Sequence, residues 1–330
     1  MTLGEISTVL AWGAVTAYAV ALVAFSVDLA ALADRRAGRV RAAVGAGGVA
    51  GAGDAVASAD DVADPGPGEA AGRGRGRAVG IAMSVTGVGV ALHAVALVTR
   101  GLAAGRVPWA NMYEFTLMGT FVAAAVFVAL CLRWDVRFLG TFVLGIVSLA
   151  LALALVAFYT PAVPVEPILQ SYWLVIHVSI ATASTGLLTV GFVAAVLQLL
   201  RDARDAGSAR LAGLRWEWLA GLPVPAKLEA LAFRLNAVGF VLWTFTLVAG
   251  AIWAEAAWGR YWGWDPKEVW TLVVWVVYAA YLHARTTRGW SGRRAAWFVV
   301  VGYATVIFNF TGVNLMFDSL HSYADVPGTE

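Results

Sequence analysis

Cysteine, histidine and charge are what this 330-residue chain has least of. Its single cysteine, Cys131, permits neither an internal disulfide nor a Cys-x-x-Cys pair, so the chain has no dithiol redox site and is not itself a c-type cytochrome. Charged residues make up 13% of the chain against 60% hydrophobic, with a mean hydropathy of +0.75, which excludes an ordinary soluble domain. The net charge of +2 singles out no class of partner.

What is there instead is a series of apolar runs, each near the length of about 20 residues that crosses a hydrocarbon core. They fall at 6–33, 79–99, 115–132, 138–160, 172–200, 235–256, 269–284 and 295–317. The expected fold class is therefore all-α: one polytopic integral-membrane domain over 1–330 with about eight transmembrane helices. The first run is too long for a signal-peptide core and has no basic residues before it, so it is read as a mature helix. With the N-terminus outside, nineteen of the 23 Lys and Arg fall in inner loops, and only Arg100, Arg106, Arg260 and Lys267 stay outside. Cations collect on the cytoplasmic side, so both termini are expected outside.

Residues 34–78 are rich in Gly and Ala and have little apolar bulk to bury, which predicts a disordered cytoplasmic loop. Its Gly-Arg run is read as a topogenic linker, not as a nucleic-acid site. Between Arg201 and Arg234 a mixture of Trp, Leu and charge suggests a short amphipathic helix along the inner interface. The distinctive sequences lie in the outer segments: RGLAAGRVPWANMYE, PAVPVEPILQSYW, AWGRYWGWDPKE and the tail DSLHSYADVPGTE.

Histidine in a membrane span is rare and usually has a task. His177, near the outer end of the fifth span, and His321, just after the eighth, are at depths where they can meet. Two imidazoles on facing elements are what six-coordinate haem iron requires, whereas zinc would need a further Cys or carboxylate ligand that the pattern does not offer. His283 lies roughly 22 Å along the seventh helix from Glu268, too deep to join them. His93 sits among Ala, Leu and Val and reads as an interhelical hydrogen-bond partner.

The stretch WGRYWGWDPKEVW, residues 258–270, divides in two. Asp265 is a good N-cap, Pro266 suits the first helical position and Glu268 stands three after the cap, so DPKE begins the seventh helix. The tryptophans are in part the aromatic belt of a membrane interface. A belt does not explain five of them between 253 and 270 with glycines following Trp258 and Trp262, which leaves ring faces open to a flat apolar macrocycle. The carboxylates of such a ligand would seek cations, for which Arg100, Arg106, Arg260 and Lys267 are the outer candidates.

This stretch resembles the WWD signature of haem-handling proteins, in the form of the CcsA/ResC branch of the Ccs (System II) cytochrome c biogenesis pathway, whose actinobacterial members are often called CcsB. Similar landmarks occur in order in VPWANMYEF, SYWLVIHVS, YAAYLHAR and GVNLMFDSLHSY, so the resemblance covers about 107–323. It implies that His177 and His321 are the two axial ligands of an external haem. It implies that His283 belongs to a transmembrane haem whose second ligand comes from a ResB-like membrane protein. Trp258, Trp262, Trp264 and Asp265 match the external haem surface, and Tyr261, Arg260 and Lys267 are expected to contribute to it. Ser319 stands where a glycine is common in the family. His93, the first span and the 34–78 loop carry no family landmark.

The resemblance further implies that haem b is taken from the cytoplasmic side of the plasma membrane and presented outside. There it would be attached by thioether bonds to the Cys-x-x-Cys-His motif of apocytochrome c, a haem lyase or synthase activity exercised with the ResB-like partner. A thiol-reducing thioredoxin-like protein is a further expected partner. The alternative is a membrane b-type electron carrier, which would need both ligands of each haem within its own bundle, and His283 has no evident second ligand here. A solute transporter would call for internal repeats, of which the sequence has none.

Overall fold

The computed structural model describes residues 1–46, 67–163 and 171–321, with side chains for all of these but 32–46, 67–77 and 214. The described residues are helical and contain no strand, as expected. The helices are α1 (Leu3–Ala46), α2 (Pro67–Ala104), α3 (Met112–Arg133), α4 (Gly140–Ala157), α5 (Tyr172–Asp205), α6 (Trp218–Gly221), α7 (Pro225–Trp258), α8 (Pro266–Thr287), α9 (Arg293–Phe310) and α10 (Gly312–Met316). Six of them, α1 to α5 and α7, are long and apolar enough to cross a membrane. With 22 and 18 residues, α8 and α9 approach a crossing length. Trp, Tyr and terminal Lys or Arg dilute their aliphatic character. The chain is a multi-pass membrane protein.

Of the loop expected over 34–78, the described parts are helical, as the end of α1 and the start of α2, and 47–66 lie outside the described residues. Residues 164–170 of the second outer segment and 322–330 of the tail also lie outside them. The amphipathic helix expected between Arg201 and Arg234 is a run of short turns ending in the four-residue α6. The reason is Pro225: it occupies the first turn of α7, so the long helix begins ten residues before the predicted span.

Two cores share α5. One gathers Ala, Leu, Val and Phe of α1 to α4 with one face of α5. The other joins α5, α7, α8 and α9 around Leu188, Trp243, Tyr278 and Tyr303. The backbones of α5 and α7 run close together, and Ser184 Oγ donates to the Gly239 carbonyl at 2.7 Å. His93 is fully buried in the first core, with Nδ1 3.3 Å from the Tyr18 hydroxyl and its ring edge-on to Phe121. It is a core residue, as its apolar surroundings predict.

Glu114 fastens three segments at one end of the bundle. It is fully buried and accepts from Arg100 Nε at 2.8 Å, Arg106 Nη1 at 2.6 Å and the Ala110 amide at 2.9 Å. Arg100 also donates to the carbonyls of Thr160 and Pro161, and Arg106 to that of Val163. The loop before α3 is thereby tied to the segment after α4. Removing one member of such a buried set typically costs about 3–5 kcal/mol. At the opposite end Glu229 of α7 accepts from Arg285 and from the Gly292 amide, which fixes the turn between α8 and α9.

Candidate functional site

The loop between α7 and α8 is shaped by its two helix ends. Gly259 closes α7 in the left-handed conformation, φ 70, which a side chain would oppose. Asp265 then opens α8 with a full capping box: its side chain accepts from the Lys267 amide at 3.0 Å, and Glu268 accepts from the amides of Asp265 and Gly263. The helix start read from DPKE is therefore present. Between the caps Trp264 has φ 61, the one non-glycine positive φ among the described residues, and meets Trp262 edge-on at 5.7 Å. Bulky residues adopt this backbone only at a cost, and the turn it makes delivers Asp265 to its cap.

Beneath this loop lies a cavity of about 320 Å³, within the range of small-molecule sites, about 300–1,000 Å³. Trp109, Phe115, Trp243, Trp253 and Phe310 give it broad aromatic walls, and threonines from α3, α5 and α8 descend along it to Thr189 and Tyr303, which are hydrogen-bonded at 2.9 Å. His177 and His321 both border it.

The two imidazoles are held in different ways. His177 Nδ1 donates to the backbone carbonyl of Thr246 on α7 at 2.9 Å. A carbonyl only accepts, so Nδ1 carries the proton and Nε2 keeps a free lone pair. The ring rests over Gly250: a β-carbon there would lie 2.7 Å from Cε1 and 2.8 Å from Nδ1, so only glycine leaves room. His321 Nδ1 donates to Asp265 Oδ1 at 2.9 Å, which frees its Nε2 in the same way. Asp265 also accepts from Ser319 Oγ and from the Leu320 amide, both at 2.7 Å. Burial opposes charge on Asp265, but the hydrogen bonds from His321, Ser319 and Leu320 outweigh it and hold the carboxyl well below its ordinary 3.8.

Trp253 touches both histidines. It is 1% exposed, stacks on His177 with an interplanar angle of 14°, and meets His321 edge-on at 5.7 Å. Trp258 meets His321 edge-on at 5.0 Å. Two imidazoles with unprotonated Nε2 atoms at one aromatic cavity could serve as nitrogen donors to a metal-bearing ligand.

The structure brings together His177, His321, Tyr261, Trp262 and Lys267 at the cavity, with Asp265 directly behind His321. Trp264 is 75% exposed, and Arg260 is exposed with its guanidinium laid against Gly263; neither lines the cavity. Arg100 and Arg106, candidate cations by position, share the one carboxylate of Glu114 and do not line the cavity. The acid eight residues beyond Arg106 was the signal for that pairing. His283 is exposed on α8, twelve residues beyond the cavity-lining Thr271, hence about 18 Å further along the helix. Sequence reasoning missed Thr246 and Gly250, whose importance arises only when α5 packs on α7.

Comparison with known proteins places these features. Residues 109–321 match the model of the family described as cytochrome C assembly protein. Among the similar relatives, the cytochrome c biogenesis protein CcsA of Synechococcus sp. (strain RCC307) is 37% identical over 260 residues, covering 69% of this chain and 79% of the relative. Its namesake in Parasynechococcus marenigrum (strain WH8102) is 36% identical over 247 residues, covering 69% and 81%. The one in Guillardia theta is 33% identical over 247 residues, covering 69% and 80%. The matched span begins at Trp109 on the cavity's rim and ends at His321, and the chain belongs to the cytochrome c assembly protein family, among its CcsA-like members.

Proposed function

We propose that this cavity holds haem b at the extracytoplasmic face of the plasma membrane and presents it for attachment to apocytochrome c, the chain acting as the haem-binding half of a synthase. The observation that carries this reading is the pair His177 and His321, each with Nδ1 engaged as a donor, bordering one cavity and both in contact with Trp253. The residues fit the group. The walls are aromatic, Gly250 clears the space of the His177 ring, and the buried Trp253 Nε1 has no partner among the described residues.

Haem supplies the two vinyl groups across whose C=C bonds the S–H groups of the Cys-x-x-Cys-His motif add, giving two thioethers. The chain's own task is positional. His177 and His321 would hold the iron, Trp253 and Trp258 would pack against the His321 ring, and Asp265 would orient it through Nδ1. The sidedness follows from the distribution of Lys and Arg, which puts both termini and the α7–α8 loop outside.

His283 supports a second, deeper site. It is exposed on α8 in this chain, with Nδ1 3.4 Å from Thr287 Oγ1, where a ResB-like partner could supply the opposing ligand to haem arriving from the cytoplasmic side. A thioredoxin-like protein would keep the apocytochrome thiols reduced.

Purification with a ResB-like partner and absorption spectra of three variants test the reading. His177→Ala or His321→Ala is expected to strip most external haem and abolish holocytochrome formation, while His283→Ala reduces supply and leaves the outer cavity able to take added haem. Unchanged spectra and holocytochrome yield in both outer variants would overturn it.

A further inference from the structure

The cavity has one polar corner, where the start of α8 meets the end of α9 and the beginning of α10. Lys267 occupies it. Its amide donates to Asp265 and its carbonyl accepts from Thr271 Oγ1 at 2.6 Å, so the backbone is pinned. Its ammonium donates to the Asn309 carbonyl at 2.7 Å and to Asn314 Oδ1 at 3.0 Å. Both partners are neutral, and among the described residues these two bonds leave one of three ammonium donors over. Lys267, Asn309 and Asn314 all line the cavity.

A second observation comes from Asn309. It is 6% exposed, donates through Nδ2 to Thr271 Oγ1 at 3.3 Å, and its buried Oδ1 has no partner among the described residues. Buried polar atoms in native proteins are nearly always satisfied. An acceptor and a cation left incomplete in the same wall point to a ligand that brings an anionic group, with a water or acid proton to bridge to Asn309.

The other outer cations are not in the cavity wall. Arg100 and Arg106 share the one carboxylate of Glu114 and, like Arg260, lie outside the cavity lining. We propose that Lys267, framed by Asn309 and Asn314, is the seat for one carboxylate of a tetrapyrrole in this cavity, so that a single interior contact fixes which edge of the macrocycle faces α8 and α9. The proposal rests on the haem reading above and goes beyond it by choosing one cation and naming the two asparagines that orient it.

Spectroscopic titration of the purified protein with haem and with haem dimethyl ester, in which both carboxylates are blocked, tests this. Wild-type protein is expected to bind haem about 10- to 100-fold more tightly than the ester, the scale of one charge-assisted hydrogen bond. Lys267→Met should bring that ratio close to one by weakening haem alone. Lys267→Arg should keep most of it, and Asn314→Ala should lower it part of the way. Palmitate, a carboxylate without the macrocycle, should not compete.

Equal binding of haem and ester by wild-type protein would overturn the proposal and leave the haem reading standing. So would an undiminished ratio in both Lys267→Met and Asn314→Ala, or displacement of haem by palmitate. If Lys267→Met loses both ligands through misfolding, the Arg and Ala variants decide. Binding of neither ligand by wild-type protein would overturn the haem reading, and this proposal with it.

Discussion

His177 and His321 present the same atom to the same cavity from very different supports. His177 belongs to a 34-residue helix, and its hydrogen bond goes to backbone, the Thr246 carbonyl, with the ring seated over Gly250 and stacked on Trp253. His321 lies beyond the last described helix, and its ring hydrogen bond goes to a side chain, Asp265, which also grips Ser319 and Leu320. The first support depends on helix packing and is indifferent to pH. The second is electrostatic and can be removed without moving a spanning helix.

The largest effect should come from filling the space beneath His177. Gly250→Val puts atoms where the imidazole lies, breaking the Thr246 bond or forcing α5 from α7, and is expected to abolish bound haem as completely as His177→Ala. Gly250→Ala should act in the same direction. Haem content per protein after purification checks both, and wild-type content in the valine variant would show that the His177 position is not set by packing.

Changes at Asp265 should be graded. Asp265→Ala removes the cap of α8 as well as the acceptor for His321, and a lost cap alone typically costs about 0.5–2 kcal/mol. Asp265→Asn keeps one oxygen acceptor and much of the cap but not the charge. We expect thermal unfolding in detergent to separate Ala from wild type clearly and Asn only slightly, with haem loss following the same order. Equal haem loss in both variants would mean that charge, rather than the hydrogen bond, holds His321.

The smallest effect concerns pH. Because the folded-state value of Asp265 is depressed, its contribution is full above the ordinary 3.8 and is lost only as pH falls through its own, lower value. The Leu320 amide, 2.7 Å from Asp265 Oδ2, should therefore keep its hydrogen-exchange protection, corrected for intrinsic rate, between pH 7 and 5. Protection already lost by pH 5 would contradict the strength of this clamp. Asp265→Asn should be less protected throughout and show no carboxylate-linked pH dependence.

Much of this could be read from the sequence because it depends on local rules. The apolar runs mark the helices, and Asp265, Pro266 and Glu268 start α8 through contacts within four residues. His177 and His321 stood out through residue type and depth. What could not be read depends on contacts distant in sequence: Thr246 lies 69 residues from His177, and Asn314 lies 47 from Lys267. Trp253 looked like one tryptophan among five, and only packing brings it against both imidazoles. The early start of α7 was hidden because Lys227, Glu229 and Arg234 made its first turns look like loop. Position alone likewise left Arg100 and Arg106 as cations for a ligand, until Glu114 was seen to hold both.

The dependence of His321 on Asp265 has a consequence for the order in which the protein is made. His321 follows all the described helices in the chain, so it is the last of the cavity's residues to be synthesised. A nascent chain cannot trap its ligand between two histidines before its last helix is in place. The same order leaves a point of inactivation: Met316 is 71% exposed and Phe317 43%, and a single cut there would free the tail that carries His321. Such a clipped chain would keep its whole bundle and lose one side of the site.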